Sequence, residues 1–247
     1  MAEPRSITQV GTSEPFELQV SRGQVAWHKT LFKYGYNPLI ISVNETVWDG
    51  GGIYAYPASA LAMTVTSAGG ATDEDVQVMV IGLDADWNEA QQEVTFNGSG
   101  TATTTQTFRR VFRAYVSGSQ APTGNITIAN GGTTYAQITL GENQTLMAVY
   151  TVPAGHTFYL TNGTATHGTG SSGGVYMTVR FMVRAFGGVF RTATKVDISE
   201  SEVIFPFTFP LVLPEKTDIE VRAISSSASV TFDISSAFEM LYIKNTD

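Results

Sequence analysis

Cysteine is absent from the 247 residues, which removes disulfides, thiolate metal ligands and cysteine nucleophiles. Histidine is scarce: His28, His156 and His167 are the only three. None stands in an H-E-x-x-H spacing, and no serine lies in G-x-S-x-G, so neither zinc-protease nor esterase signatures are present. Charged residues make up 15% of the chain, against roughly 25% in soluble domains. No apolar run reaches the roughly 18 residues that span a bilayer as a helix. Met1–Val10 is polar, with Pro4 and Arg5, so no signal peptide is expected. The net charge of −8 lacks the basic footprint that nucleic-acid binding needs.

What is present is a strand-forming composition. Hydrophobic residues reach 43% and glycine numbers 24, enough for a packed core joined by tight turns. The acidity is concentrated: residues 41–150 carry three basic against ten acidic groups, while residues 1–40 carry four against three. Residues 1–38 are mostly polar and end in the aromatic-basic stretch Trp27, His28, Lys29, Phe32, Lys33, Tyr34 and Tyr36, closed by Asn37-Pro38. Too little apolar surface is present there for a core of its own, so the segment reads as an arm that either packs on the following domain or orders on a neighbouring subunit.

Beyond Pro38 the period is two. Phe108, Arg110, Phe112, Ala114 and Val116 alternate with Arg109, Val111, Arg113 and Tyr115, and Tyr176–Phe186 alternates in the same way, as strands do. Further strands are expected at Leu39–Val43, Ala60–Thr66, Val76–Leu83, Asn125–Ala129, Thr134–Leu140, Thr145–Val152 and Ile219–Ile224. Trp87–Glu93 reads as a short helical turn. In Val203–Pro214 the apolar Phe205, Phe207, Phe209, Leu211 and Leu213 share one face, and Pro206, Pro210 and Pro214 the other. Proline donates nothing to a ladder, so this ribbon belongs at a sheet edge or a subunit boundary. The expected fold is all-β, one or two antiparallel β-sandwich or jelly-roll domains behind an N-terminal arm. The divisions are 1–38 for the arm, 39–145 for one sandwich and 146–247 for a second, jelly-roll-like one.

Two motifs have ordinary explanations. Gly168–Gly173 spells G-x-G-x-x-G, but a strand follows it rather than the helix a dinucleotide site requires. Asp84 and Asp86 lack calcium-loop spacing and suit a turn in which Asp bonds local backbone. No metal or other cofactor is expected.

Lys33-Tyr34-Gly35-Tyr36-Asn37-Pro38, then Val47-Trp48-Asp49-Gly50-Gly51-Gly52 and Tyr54, resemble a family of virion structural proteins of tailed bacteriophages, common in aquatic phages. Gly82–Trp87, Phe108–Val111, Asn143–Gly155 and Glu215–Ile219 extend the resemblance in order over most of the chain. Leu39-Ile40-Ile41 departs from it, being apolar where the family is more acidic. The resemblance implies a particle component without catalysis, assembled in the bacterial cytoplasm and residing in the virion. Capsid decoration (cement), neck and tail attachment are all compatible with it, as is a homo-oligomer, with a trimer favoured by the three-fold sites of a shell. The expected partners are the major capsid protein or other virion proteins, with no nucleic acid and no membrane. A glycan-binding sandwich using Trp48-Asp49 or Asp86-Trp87 is the alternative from another class. The candidate contact residues are Trp27, Phe32, Tyr34 and Tyr36 of the arm, Arg109 and Arg113, and Phe205, Phe207 and Phe209.

Overall fold

The computed structural model describes residues 14–168, 174–199 and 202–245. A six-residue helix, α1 (Phe16–Ser21), leads into β1 (His28–Ile40) and the short β2 (Glu45–Thr46). There follow β3 (Leu61–Ser67), β4 (Gln77–Leu83), β5 (Glu89–Thr95), β6 (Thr101–Phe108), β7 (Arg110–Val116), β8 (Ile126–Asn130) and β9 (Thr133–Ile138). The chain ends with β10 (Val149–Thr151), β11 (His156–His167), β12 (Met177–Arg184), β13 (Arg191–Ile198), β14 (Glu202–Leu213), β15 (Asp218–Ser225) and β16 (Phe232–Lys244). All pairings are antiparallel.

The first and last of these strands form one sandwich. One sheet runs β1-β16-β11-β14 and the facing sheet β10-β15-β12-β13, with β2 also paired to β15. β2 and β10 lie along the same partner, Thr46 opposite Arg222 and Val149 opposite Glu220, so they are two pieces of one strand line. Counted that way, the eight strands in sequence stack 1-8-3-6 against 2-7-4-5, the order of a jelly roll. Phe158, Leu160, Phe181, Ile219, Phe238 and Met240 fill the space between the sheets.

Residues 48–147 are inserted into the middle of that split strand. They make a second sandwich, β6-β3-β8-β9 against β5-β4-β7, closed over Met63, Val65, Val78, Phe96, Phe108 and Ile128. Val47 and Ala148 form its neck: the Ala148 N–H donates to the Val47 carbonyl at 2.9 Å, and Trp48 pairs with Met147.

This arrangement corrects the division into arm and consecutive halves. Residues 28–40 are not an arm but a 13-residue strand paired with β16 from His28↔Ile243 to Ile40↔Phe232. The inward positions before its last residue, Ile40, include Lys33, Gly35 and Asn37, so no apolar alternation announced it. Residues 1–13, the rest of the expected arm, lie outside the described residues, as does most of the Gly168–Gly173 motif. Trp87–Glu93 holds no helix; polar Glu89–Thr95 instead forms an edge strand along β4, where burying one side suffices.

Gly35 shows how tightly β1 is seated against the neck. A Cβ there would lie 2.2 Å from the Ala148 nitrogen and 2.5 Å from the Val47 oxygen, and backbone cannot yield as a side chain can. Gly35→Ala is therefore expected to cost roughly 1–3 kcal/mol through forced backbone shifts, read as a lowered urea midpoint. An unchanged midpoint would mean that β1 is not packed against the neck.

Candidate interaction surfaces and the junction cluster

The two sandwiches are clamped by a buried ion cluster. Arg110 of β7 grips Asp218 of β15 with two bonds, Nε to Oδ1 at 2.7 Å and Nη2 to Oδ2 at 3.1 Å. Arg184 of β12 adds a second fork to Asp218 Oδ2, at 2.9 and 2.6 Å, and the Thr151 hydroxyl donates to Oδ1 at 2.6 Å. Arg110 also donates to the Pro57 carbonyl at 3.0 Å. The Tyr56 ring stacks under both guanidiniums, 5.1 Å from Arg110 and 4.5 Å from Arg184, and Trp87 covers Arg110 at 4.8 Å. Tyr56 donates to Glu220 Oε2 at 3.1 Å. Burial raises the Glu220 carboxyl, partly opposed by the paired Arg222. Planar, always charged guanidiniums suit this geometry, in which every buried charge has a partner. Several of the stretches that carry the sequence resemblance meet here and at the neck: Gly35, Val47, Arg110, Ala148, Trp87 and Asp218.

The predicted contact residues divide into separate places. Phe32, Tyr34 and Tyr36 stand on the outer face of β1, opposite Glu239, Ala237 and Ser235 of β16, which pair onward with Asn162, Thr164 and Thr166 of β11. Small residues on the two central strands leave a trough of about 280 Å³ walled by Phe32 and Tyr34. The Tyr34 and Ser235 hydroxyls bond at 2.9 Å. Ile204, Pro206 and Val212 of β14 extend the same face. Trp27 lies just before β1 at φ 68°, half exposed, with the Lys244 ammonium 5.6 Å over its ring.

β14 is the outermost strand of its sheet, where its prolines remove no ladder bond that a neighbour needs. Its phenylalanines do not act together. Phe205 is half-buried over Gly163, whose missing Cβ makes room for the ring, and Phe207 packs on the jelly-roll core. Phe209 is 87% exposed, because residues 207–210 bulge out between the pairs Leu160↔Leu211 and Asn162↔Pro206.

Arg109 and Arg113 also part company. Arg109 lines a junction concavity of about 330 Å³ beside Arg184 and Phe186, its guanidinium 5.1 Å from the Trp87 ring. Arg113 is exposed on the rim of a second cleft, of about 300 Å³, shared with Phe32, Tyr34 and Lys33. The remaining candidates resolve simply. Asp84 Oδ1 accepts from the backbone of Asp86 and Asn88 at 2.8 and 2.9 Å, the expected local turn. Trp48 and Trp87 are buried, so neither presents a free aromatic face for a sugar. No group of three or more histidine and acidic side chains among the described residues is placed to hold a metal ion. No described helix is long and apolar enough to cross a membrane.

Sequence reasoning missed the junction because Arg110 and Asp218 are 108 residues apart, with no local pattern linking them. It also missed two buried charges. Lys33 points into the cleft, its ammonium donating to the Phe112 carbonyl. Burial, with the Arg113 charge adding, pushes it down to about 7. Asp49, at the neck, has one buried oxygen without a hydrogen-bond partner, and burial pushes its carboxyl up to about 7.

Fold and surfaces together define an all-β protein, a jelly roll carrying an inserted antiparallel sandwich. No protein-family model matches the chain, and no curated protein matches it. Among solved structures it is similar to that of the infectious bursal disease virus Gx strain, at 14% identity and a TM-score of 0.26, over 98% of this chain and 80% of that one. The crystal structure of the infectious bursal disease virus VP2 subviral particle is similar at 11% identity and a TM-score of 0.22, over 89% of this chain and 77% of that one.

Proposed function

We propose that the protein is a structural component of a tailed-phage virion, a capsid-decorating (cement) protein that bridges capsid subunits as a homotrimer and catalyses nothing. The observation that carries this reading is the outer face of the β1-β16-β11-β14 sheet and its β14 edge. Phe32 is 62% exposed, Ile204 58%, Val212 54% and Phe209 87%; they stand on the two edge strands of one sheet and on the β14 bulge, and exposed apolar side chains of this size ask for cover by another protein. The low charge content and the sequence resemblance support the same reading. The partners are then the major capsid protein or other virion proteins, each contact modest and strengthened by repetition around a symmetry axis. Arg110, Arg184 and Arg222 are committed to internal carboxylates, which leaves little basic surface for nucleic acid.

The test separates contact from core. Phe32→Ser with Phe209→Ser should leave the unfolding free energy within about 0.5 kcal/mol of the parent, while attachment to particles stripped of the protein falls at least about tenfold. Phe207→Ala should do the reverse, costing roughly 1–3 kcal/mol as a half-buried ring with attachment retained in the folded fraction. Unchanged attachment of the double variant would contradict the proposed surface.

A further inference from the structure

The cleft at the β1 side of the two sandwiches contains a charge that the fold does not neutralise. Lys33 is 7% exposed and its ammonium, with three N–H donors, meets one acceptor, the Phe112 carbonyl. It lies 5.8 Å from the Phe112 ring centre. No carboxylate pairs with it among the described residues. The cavity above it, of about 300 Å³, has apolar walls from Leu31, Phe112 and Leu146, and the exposed Arg113 stands at its rim. Two cations therefore face a space with apolar walls, which Glu89, Gln144 and Thr145 also line. A buried ammonium with incomplete hydrogen bonding is costly, and a like charge beside it adds to the cost. The other titratable groups facing this space are Tyr34 on β1, Glu89 on β5 and Tyr150 on β10, and Tyr150 is held neutral by its burial. With Lys33 protonated, Lys33, Arg113 and Glu89 together leave one positive charge, which a monoanion balances and a dianion exceeds.

We propose that this cleft binds a small monocarboxylate with an apolar body, the carboxylate between Lys33 and Arg113 and the body against Phe112, Leu31 and Leu146. The Arg113 fork suits a carboxylate and the compact ammonium completes its second oxygen. Pockets of this size, mostly apolar with a few converging polar groups, are typical of small-molecule sites. The inference is independent of the virion reading, since it concerns a cleft on the isolated chain.

Because Lys33 loses its proton near pH 7 in the empty protein, a carboxylate must bring a proton with it at higher pH. Calorimetric titration of the full chain with 4-methylbenzoate, 4-methylbenzamide and sodium sulfate tests this. Saturable benzoate binding is expected at millimolar concentration or tighter, with the neutral amide and sulfate at least about tenfold weaker. Benzoate affinity should fall by up to about tenfold per pH unit above 7, with proton uptake on binding. Arg113→Gln, which changes only an exposed side chain, and Lys33→Met should each weaken binding at least about tenfold. Absence of saturable benzoate binding, equal binding of amide or sulfate, or unchanged binding by Arg113→Gln would overturn the proposal.

Discussion

Replacing Asp218 by Ala is expected to lower the unfolding free energy by roughly 3–5 kcal/mol. Its side chain is 4% exposed and accepts from both Arg110 and Arg184. Removing it leaves Arg110, itself 8% exposed, without a counter-charge at the seam between jelly roll and insertion. The penalty arises from the stranded cations rather than from the intrinsic strength of the pair. For that reason Arg110→Met combined with Asp218→Leu should recover much of the loss. Urea denaturation checks both variants. A loss below about 1 kcal/mol for Asp218→Ala, the range of an exposed pair, would mean that water reaches the cluster and that the clamp is not buried.

Stability should pass through a minimum near neutral pH, with Lys33 and Asp49 as the cause. Lys33 falls from 10.5 to about 7 on folding. Between those values the unfolded chain holds a proton that the native state lacks, so stability rises with pH. Asp49 moves the other way, from 3.8 to about 7. Between those values the native state holds the extra proton, so stability falls as pH rises. Glu220, raised by burial, acts in the same sense as Asp49. Asp73 and Glu215, lowered by hydrogen bonds to their oxygens despite opposing burial, lose their contribution only when pH falls into the acid range. Shifts of about three units correspond to contributions on the order of 4 kcal/mol from Lys33 and Asp49 individually. Urea midpoints at pH 5, 7 and 9 should be lowest at 7. Asp49→Asn should flatten the acid limb and Lys33→Met the alkaline one. A maximum at pH 7 in the parent would show that both groups are solvated in the native state.

The residues differ in how openly they declare these roles. The prolines of Val203–Pro214 state in sequence that no strand pairs on their outer side, and β14 is the sheet edge. Period two in Phe108–Val116 and Tyr176–Phe186 gives β7 and β12 directly. β1 is hidden because the jelly roll needs a glycine, an asparagine and a lysine on its inner face, where the neck and insertion crowd it. The insertion point is hidden for a related reason. β2 and β10 hold two and three residues, too short for any period, and only their common partner β15 makes them one strand line. For the candidate contacts, aromatic residues before Pro38 are legible as surface because nothing nearby can bury them. Phe205, Phe207 and Phe209 are alike in sequence, yet a bulge puts one in water and leaves two against the jelly roll. That distinction depends on the register with β11, where the pairing jumps from Asn162↔Pro206 to Leu160↔Leu211.

The role proposed for this protein is to coat a tailed-phage head through the outer face of its jelly roll. Cryo-electron microscopy of whole particles, with symmetry imposed and relaxed, tests it most directly. The account predicts hundreds of copies on the shell, grouped in threes, with Phe32, Ile204 and Phe209 against a neighbouring subunit. A dozen or fewer copies at the neck or tail, or copies on the shell with that face toward solvent, would contradict it.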